Sequence, residues 1–236
     1  MLSNISNEFT MIDFHIHSDY SDGDQTIEEI VLTAKRRKLE AIAISDHIDS
    51  NGKFMYLRHT GSPKRLDEYI KEIRAVAKRM NYPIYASAEI SDFSNYTVLL
   101  SNEFKNLDFI LIETQKPRGP TNPLFDPIKR ASFIKNQFKN IPVGLAHPEI
   151  EFIEKNIERF QEFDIFIELN GDKLTRNYSD LNGIFHKIKN LLMDYPEIKI
   201  SVGSDAHQIY MIGGVKRIWE FIISNGLTER LLINFL

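Results

Sequence analysis

Short runs of apolar and β-branched residues alternate along this chain with longer stretches in which apolar residues recur at helical spacing. The short runs predict seven strands, which begin at Met11-Ile12 and then cover about 41–45, 83–88, 107–112, 143–146, 164–170 and 198–202. The longer stretches predict helices over about 27–38, 66–80, 127–138, 150–163, 181–193 and 215–224. Strands that alternate with helices in this way pair in parallel through right-handed crossovers.

This alternation determines the fold class that we expect. Seven units of roughly 30 residues in a chain of 236 residues fit one α/β barrel better than two domains, so residues 1–236 are predicted to form a single domain. A doubly wound open sheet is the structural alternative. It has little support, because no Gly-x-Gly-x-x-Gly motif for a dinucleotide follows any predicted strand.

Composition narrows the chemistry that such a barrel can carry. The chain has no cysteine, which excludes disulfides, thiolate-bound zinc and thiol nucleophiles. Any metal must therefore bind His, Asp, Glu, amide oxygen or water, a set that suits zinc, manganese, iron or magnesium. The formal net charge of -4 does not favour broad binding to a nucleic-acid duplex, which needs clustered positive charge.

Hydropathy also predicts where the protein is found. The first ten residues lack the basic region and apolar run of a signal peptide, and no apolar run approaches the roughly 20 residues that span a bilayer. We therefore expect no membrane partner and a cytoplasmic location.

Residues that bind metals recur where the predicted strands end. His15 and His17 lie two apart on the first strand and so share a face. In parallel barrels the carboxyl ends of the strands form the face that carries active sites. The other residues of this kind are Asp22 on the loop that Gly23 lets turn back, Asp46-His47 after the second strand, Glu89 after the third, His147 after the fifth, and Asp205 with His207 after the seventh.

Carboxylates and imidazoles without thiolate can hold two or three divalent ions close together, and the two oxygens of Glu89 allow it to bridge two of them. Such a cluster lowers the pKa of a water molecule and neutralises charge on phosphoryl oxygens. The pattern therefore predicts hydrolysis at a metal cluster. No serine nucleophile elbow and no P-loop competes with this interpretation.

These motifs, in this order, resemble the PHP family, named for polymerase and histidinol phosphatase. The resemblance covers almost the whole chain and implies a distorted seven-stranded (β/α)7 TIM-like barrel that hydrolyses phosphate esters. It is carried by His15-Ile16-His17, Ser21-Asp22-Gly23, Ser45-Asp46-His47, Ala88-Glu89-Ile90, Ala146-His147-Pro148-Glu149 and Ser204-Asp205-Ala206-His207.

Ligand sets follow from the same resemblance. The first metal would take His15, His17, Glu89 and Asp205. The second would take Glu89 and His147, and the third would take Asp22, His47 and His207. Asp46 would be a catalytic residue of the outer shell, which orients its neighbour or a bound water.

One position departs from the family pattern. At the end of the fourth strand the family carries a histidine for the second metal, whereas this chain has Gln115, whose amide oxygen is a poorer ligand. Glu113 lies two residues earlier on the same face and offers a carboxylate instead. The number of metals, two or three, therefore stays open.

A phosphate also needs positive charge from the protein. Arg118, in the proline-rich loop after the fourth strand, is the principal candidate, since a guanidinium group can bind phosphate through two hydrogen bonds. Arg58 and Arg176 are the alternatives, while Glu168 and Asn170 share a face at the end of the sixth strand and are predicted to support the ligands.

The predicted function is metal-dependent hydrolysis of a small phosphomonoester, such as histidinol phosphate or a nucleotide, by a metal-activated water. The alternatives are a nuclease or phosphodiesterase that acts on short oligonucleotides, a non-catalytic scaffold subunit, and a hydrolase of C–N bonds. Near-complete ligand sets speak against a scaffold. The sequence leaves the identity of the metal, the substrate and the oligomeric state open.

Overall fold

A computed structural model of the chain describes residues 11–57, 65–92, 97–114 and 125–236. Its strands are β1 (Met11–Ile16), β2 (Leu39–Ile48), β3 (Ile84–Ile90), β4 (Phe109–Glu113), β5 (Val143–Ala146), β6 (Phe166–Asn170) and β7 (Ile200–Gly203). Its α-helices are α1 (Ile27–Arg36), α2 (Leu66–Met80), α3 (Pro127–Gln137), α4 (Ile150–Glu162), α5 (Gly171–Asn177), α6 (Leu181–Asp194) and α7 (Lys216–Ser224). Short 3-10 helices lie at Asn102–Asn106, Thr228–Arg230 and Leu232–Phe235.

The strands form one sheet in the order of the sequence, and each neighbouring pair is parallel. The sheet curls until β1 meets β7 through a parallel bridge between Ile16 and Ala206, where the His17 backbone N–H donates to the Ala206 carbonyl at 2.9 Å. This nearly closed α/β barrel confirms the predicted TIM-like fold. The open doubly wound alternative is wrong, because the first and last strands are neighbours.

A buried carboxylate holds the join between β1 and β7. Asp13 accepts hydrogen bonds from the backbone N–H groups of Ser204 at 2.8 Å and Gly213 at 2.7 Å. Burial raises the pKa of Asp13 to about 6, although these hydrogen bonds favour its charged form. On the outside, the indole of Trp219 in α7 donates to the Ile12 carbonyl at 3.0 Å, so α7 is fixed against β1.

Apolar side chains fill the barrel and its outer layer. Phe14 of β1 stacks on Phe109 of β4, with ring centroids 5.7 Å apart. Helix α1 begins with a capping box, because the Thr26 side chain accepts from the Glu29 N–H and the Glu29 carboxylate accepts from the Thr26 N–H. Its apolar stripe is buried against the sheet. None of the described helices is long and apolar enough to span a membrane.

The elements differ from the predicted ones mainly at the ends of strands. Both β2 and β3 extend beyond their apolar runs, so that His47 pairs with Glu89 inside the ladder. Helix α5 was not predicted, and it begins directly after β6. These differences bring polar side chains into regular structure at the carboxyl end of the barrel.

Candidate metal centre

The predicted metal ligands converge at the carboxyl end of the barrel. Three groups of described residues each offer ligand atoms within 4.8 Å of one another, close enough to hold an ion. They are His15, His17, Glu89 and Asp205; His17, Asp22, His47 and His207; and His47, Glu89 and Glu113. Since the groups share members, they form one continuous cluster rather than separate sites.

The first group lies deepest. The Nε2 atoms of His15 and His17 are 3.1 Å apart, and His17 Nε2 lies 3.1 Å from Asp205 Oδ1. Glu89 Oε2 lies 3.2 Å from His15 Nε2. Ligand atoms at zinc bonding distances in a tetrahedral site are about 3.3 Å from one another. This buried group of two imidazoles and two carboxylates therefore matches a divalent metal in both donor type and spacing.

The charge states of three of the four side chains in this group suit a cation. The exception is His15, because Glu168 and Glu89 outweigh burial and raise the pKa of its imidazole well above the ordinary value. Burial, together with the nearby His207 and His47, lowers the pKa of His17 to about 3, so that its imidazole is neutral at neutral pH. Burial opposes charge on Glu89 and Asp205, but the surrounding histidines hold the pKa of both carboxyls well below the usual range. Neutral imidazole and ionised carboxylate are the forms that bind metals.

Glu168 of β6 orients two of the histidines from behind. Its Oε1 atom lies 2.8 Å from His15 Nδ1, and its Oε2 atom accepts from the His147 backbone N–H at 2.6 Å. The Asn170 amide donates to Glu168 Oε1 at 3.2 Å. With a proton on Nδ1 for Glu168, His15 presents the lone pair of Nε2 to the cluster. These contacts match the supporting role predicted for Glu168 and Asn170.

The close packing of Glu168 against His15 depends on Gly203. A Cβ atom at Gly203 would lie 2.1 Å from Glu168 Oε1 and 2.4 Å from His15 Cβ, so that any side chain there would displace both. The last residue of β7 is therefore restricted by the contact between β1 and β6.

Glu113 occupies the part of the cluster where the sequence departs from the family pattern. His147 Nε2 lies 3.1 Å from Glu89 Oε1 and 3.5 Å from Glu113 Oε1. His147, Glu89 and Glu113 thus form a further set of two carboxylates and one imidazole, beside the deep group. Gln115, the position of the missing histidine, lies outside the described residues.

The ligand set predicted for the third metal is the most exposed to solvent. His207 Nε2 lies 3.2 Å from Asp22 Oδ2, and His47 Nε2 lies 3.7 Å from Asp22 Oδ1. The rings of His17 and His207 stack with centroids 4.1 Å apart. Gly23 permits the approach of Asp22, because a Cβ atom at Gly23 would lie 2.4 Å from the His17 carbonyl oxygen.

Asp46 belongs to none of the three ligand groups found among the described residues. Its carboxylate accepts from the Ser18 backbone N–H at 2.8 Å and from the hydroxyls of Ser18 at 2.6 Å and Ser21 at 2.5 Å. Burial raises the pKa of Asp46 to about 7 despite these hydrogen bonds. Asp46 thus ties the loop after β1 to β2, and its catalytic role stays a prediction.

One of the three predicted phosphate-binding arginines lies in the described part of the chain. Arg118 and Arg58 are outside the described residues. Arg176 of α5 is exposed over 67% of its side chain, and its Nε atom pairs with Asp172 at 2.8 Å.

Sequence reasoning missed Lys173 of α5. Its Nζ atom lies 2.9 Å from Asp205 Oδ2, and 22% of its side chain is exposed. Burial disfavours its positive charge, but the carboxylates of Asp205, Asp172 and Glu113 together outweigh burial and raise the pKa of Lys173. The signal that could have located it is Asn170, a good N-cap residue at the end of β6, whose side chain accepts from the Lys173 backbone N–H.

Comparison with known proteins gives consistent relatives. A probable phosphatase from Acetivibrio thermocellus is 23% identical over 236 residues, which cover 95% of this chain and 90% of the relative. A probable phosphatase from a Thermoanaerobacter species is 27% identical over 233 residues, with the same coverage. Among solved structures, histidinol phosphate phosphatase from Lactococcus lactis, in complex with zinc, L-histidinol and phosphate, superposes with a TM-score of 0.59 and 16% identity. That superposition covers 92% of this chain and 94% of the other, and it shows a shared fold.

The family model named PHP domain matches residues 13–116. This segment carries the ligand-type residues of the first four strands, from His15 and His17 to Glu89 and Glu113. The remaining ligand-type residues follow in the described part of the same barrel. Over residues 13–116, the chain is thus similar to the PHP domain family.

Proposed function

We propose that this protein is a metal-dependent phosphoesterase that hydrolyses a small phosphate monoester. The observation that carries the proposal is the deep ligand group, in which His15, His17, Glu89 and Asp205 bring four ligand atoms within 4.8 Å of one another. The names of the relatives, probable phosphatases, support the same reaction class. Histidinol phosphate is the first substrate to test, because the solved neighbour holds L-histidinol and phosphate.

Three sets of residues are proposed to hold the ions. The first is the deep group. In the second, Glu113 joins Glu89 and His147, and its carboxylate takes the part that Gln115 serves poorly. The third consists of Asp22, His47 and His207. Divalent ions held there, such as zinc, manganese or iron, would lower the pKa of a water molecule and offset the negative charge on phosphate oxygens.

The chain itself supplies orientation and charge. Glu168 keeps the His15 lone pair directed at the cluster, and Glu89 offers one carboxylate oxygen to each side, at 3.2 Å from His15 Nε2 and 3.1 Å from His147 Nε2. Asp46 fixes the loop that carries Asp22 through Ser18 and Ser21. Arg118 is proposed, from the sequence alone, to hold a non-bridging phosphate oxygen.

A phosphate-release assay tests the proposal. Protein purified without chelator, and then loaded with zinc or manganese, is offered histidinol phosphate, nucleoside monophosphates and short oligonucleotides. Release from a monoester is expected. His17→Ala and Asp205→Ala should each lower the rate by at least about 100-fold, since the loss of a charge-stabilising ion costs several kcal/mol, while far-ultraviolet circular dichroism stays unchanged.

His186→Ala is the matched control, because His186 is an exposed histidine on α6. It should keep the wild-type rate. Cleavage of oligonucleotides without release from any monoester would instead support the nuclease alternative. Full activity in His17→Ala and Asp205→Ala would reject the site.

A further inference from the structure

We propose that Lys173 is a substrate-binding residue, whose ammonium group binds the phosphate of the substrate beside the metal cluster. This inference rests on the proposed function and adds a residue to it. It starts from the contact between Lys173 Nζ and Asp205 Oδ2, at 2.9 Å.

The position of Lys173 is set by local structure rather than by chance. Helix α5 begins at Gly171, directly after β6, and a Cβ atom at Gly171 would lie 2.1 Å from the Gly214 carbonyl oxygen. Only a glycine therefore lets the helix begin so close to the neighbouring loop. The Asn170 cap then holds the Lys173 backbone N–H at 3.1 Å, and these two constraints direct the third residue of the helix toward the cluster.

Lys173 also faces a small cleft beside the ligands. Together with His147, Pro148, Glu168, Asn170 and Tyr178, it lines a cleft between the ends of β5 and β6. His147 belongs to the proposed second ligand set, and so one cleft has a metal-binding imidazole on one wall and an ammonium group on another. The space between these walls is about 10 Å³, enough for one water-sized group, so that we expect a single phosphate oxygen, rather than the whole phosphate, to lie between them.

The ammonium group has donors available for such a ligand. A lysine ammonium carries three N–H donors. Among the described residues, Asp205 is within hydrogen-bond distance of Lys173 Nζ, whereas Asp172 Oδ2 is 3.8 Å away. Two donors are thus left for the oxygens of a phosphate group, and the contact with Asp205 fixes the direction in which they point.

Charge balance favours an anion at this place. Asp205 offers Oδ1 to His17 Nε2 at 3.1 Å and Oδ2 to Lys173, so its two oxygens face different partners. With divalent ions among the ligands, the ammonium group adds further positive charge on the cleft side. A phosphate dianion is the ligand that suits a lysine beside metal ions, because its oxygens accept from both.

The experiment compares Lys173→Met and Lys173→Arg with wild type and with Lys189→Met, in the metal-loaded full chain. Lys189 is the matched control, since it is an exposed lysine on α6. Binding of inorganic phosphate is measured by calorimetry, metal content by elemental analysis, and KM and kcat on a phosphomonoester by phosphate release.

We expect Lys173→Met to weaken phosphate binding about tenfold or more, the effect of one hydrogen bond to a charged group, and to raise KM, while metal content stays at the wild-type level. Lys173→Arg should recover part of the affinity, and Lys189→Met should match wild type. Unchanged phosphate affinity in Lys173→Met would overturn the inference. Loss of metal in that variant would also overturn it, because Lys173 would then act by positioning Asp205.

Failure of this inference differs from failure of the proposed function. Wild type that releases phosphate, beside a Lys173→Met variant with wild-type phosphate affinity, rejects Lys173 alone. Wild type that hydrolyses no ester, yet binds phosphate in a manner that depends on Lys173, rejects the function and keeps the phosphate site.

Discussion

The buried ionisable side chains of the cluster depend on one another for their charge states. His17 and Glu89 are fully buried and Asp205 is 3% exposed, and buried ionisable groups are costly unless they have partners. Burial lowers the pKa of His17, whereas neighbouring histidines lower the pKa values of Glu89 and Asp205. The neutral imidazole of His17 and the two ionised carboxylates are the forms that bind a cation, while Glu168 and Glu89 raise the pKa of His15 although burial opposes its charge.

The role of Glu168 gives a prediction at this scale. Glu168→Gln keeps the shape of the side chain but removes the negative charge that holds a proton on His15 Nδ1. We expect metal affinity to fall by about 10- to 100-fold, the usual cost of losing an outer partner of a ligating histidine. Competition with a chromophoric chelator measures the affinity.

Glu158→Gln serves as the control for that variant, since Glu158 is an exposed acid on α4. Wild-type metal affinity in Glu168→Gln would show that the hydrogen bond to His15 does not govern binding.

The sequence predicts which side chains lie together where two residues are two apart on a strand and so share a strand face. His15 and His17 share a strand face, and Glu168 and Asn170 do the same on β6, so that both pairs were predicted to act together. Lys173 escaped because a lysine after an Asn-Gly-Asp segment carries no periodic signal. Its importance depends on the β6–α5 connection, and only the folded chain shows which carboxylate it contacts.

At the scale of elements, the strands carry most of the candidate metal ligands at their carboxyl ends. Their apolar runs were predicted well, because a buried parallel strand is a continuous apolar segment. The predicted β2 and β3 end too early, because His47 and Glu89 are polar and yet continue the ladder between these strands. Helix α5 was missed because seven residues are too few to show an amphipathic period.

Packing between β5 and β6 gives a prediction about stability. A Cβ atom at Gly144 would lie 2.2 Å from a ring carbon of Phe166, which is buried against the sheet. Gly144→Ala should therefore lower the free energy of unfolding by about 1–3 kcal/mol, the usual cost of overpacking a core. Urea unfolding, followed by circular dichroism, measures the change.

Adding Phe166→Leu to that variant should recover part of the loss, since the smaller side chain leaves room for the methyl group. A cost below about 0.5 kcal/mol for Gly144→Ala alone would mean that the ring moves aside freely.

The whole molecule concentrates negative charge at one end of the barrel. Asp22, Glu89, Glu113 and Asp205 all lie in the cluster, in a chain whose formal net charge is only -4. Divalent ions bound there would offset the negative charge of these carboxylates in the folded state, whereas the unfolded chain offers no such preformed group.

Removal of metal should therefore lower the melting temperature. Chelator-treated protein is expected to unfold at a lower temperature than protein with zinc or manganese, and restoring metal to about 1,000 times its dissociation constant should return about 4 kcal/mol of stability. Differential scanning calorimetry measures both states.

Asp205→Asn, with one cluster carboxylate removed, is the comparison for this experiment. The melting temperature of this variant should respond less to added metal. Identical melting curves for wild type with and without metal would show that the ions contribute nothing to the fold.

The join between β1 and β7 has a consequence for how the protein is made. His17 and Asp205, whose side chains meet at 3.1 Å, are 188 residues apart in the chain. A nascent chain that ends before β7 carries the first ligands without their partners. Under the proposed ligand assignment, we therefore expect hydrolytic competence only after synthesis has passed the last strand.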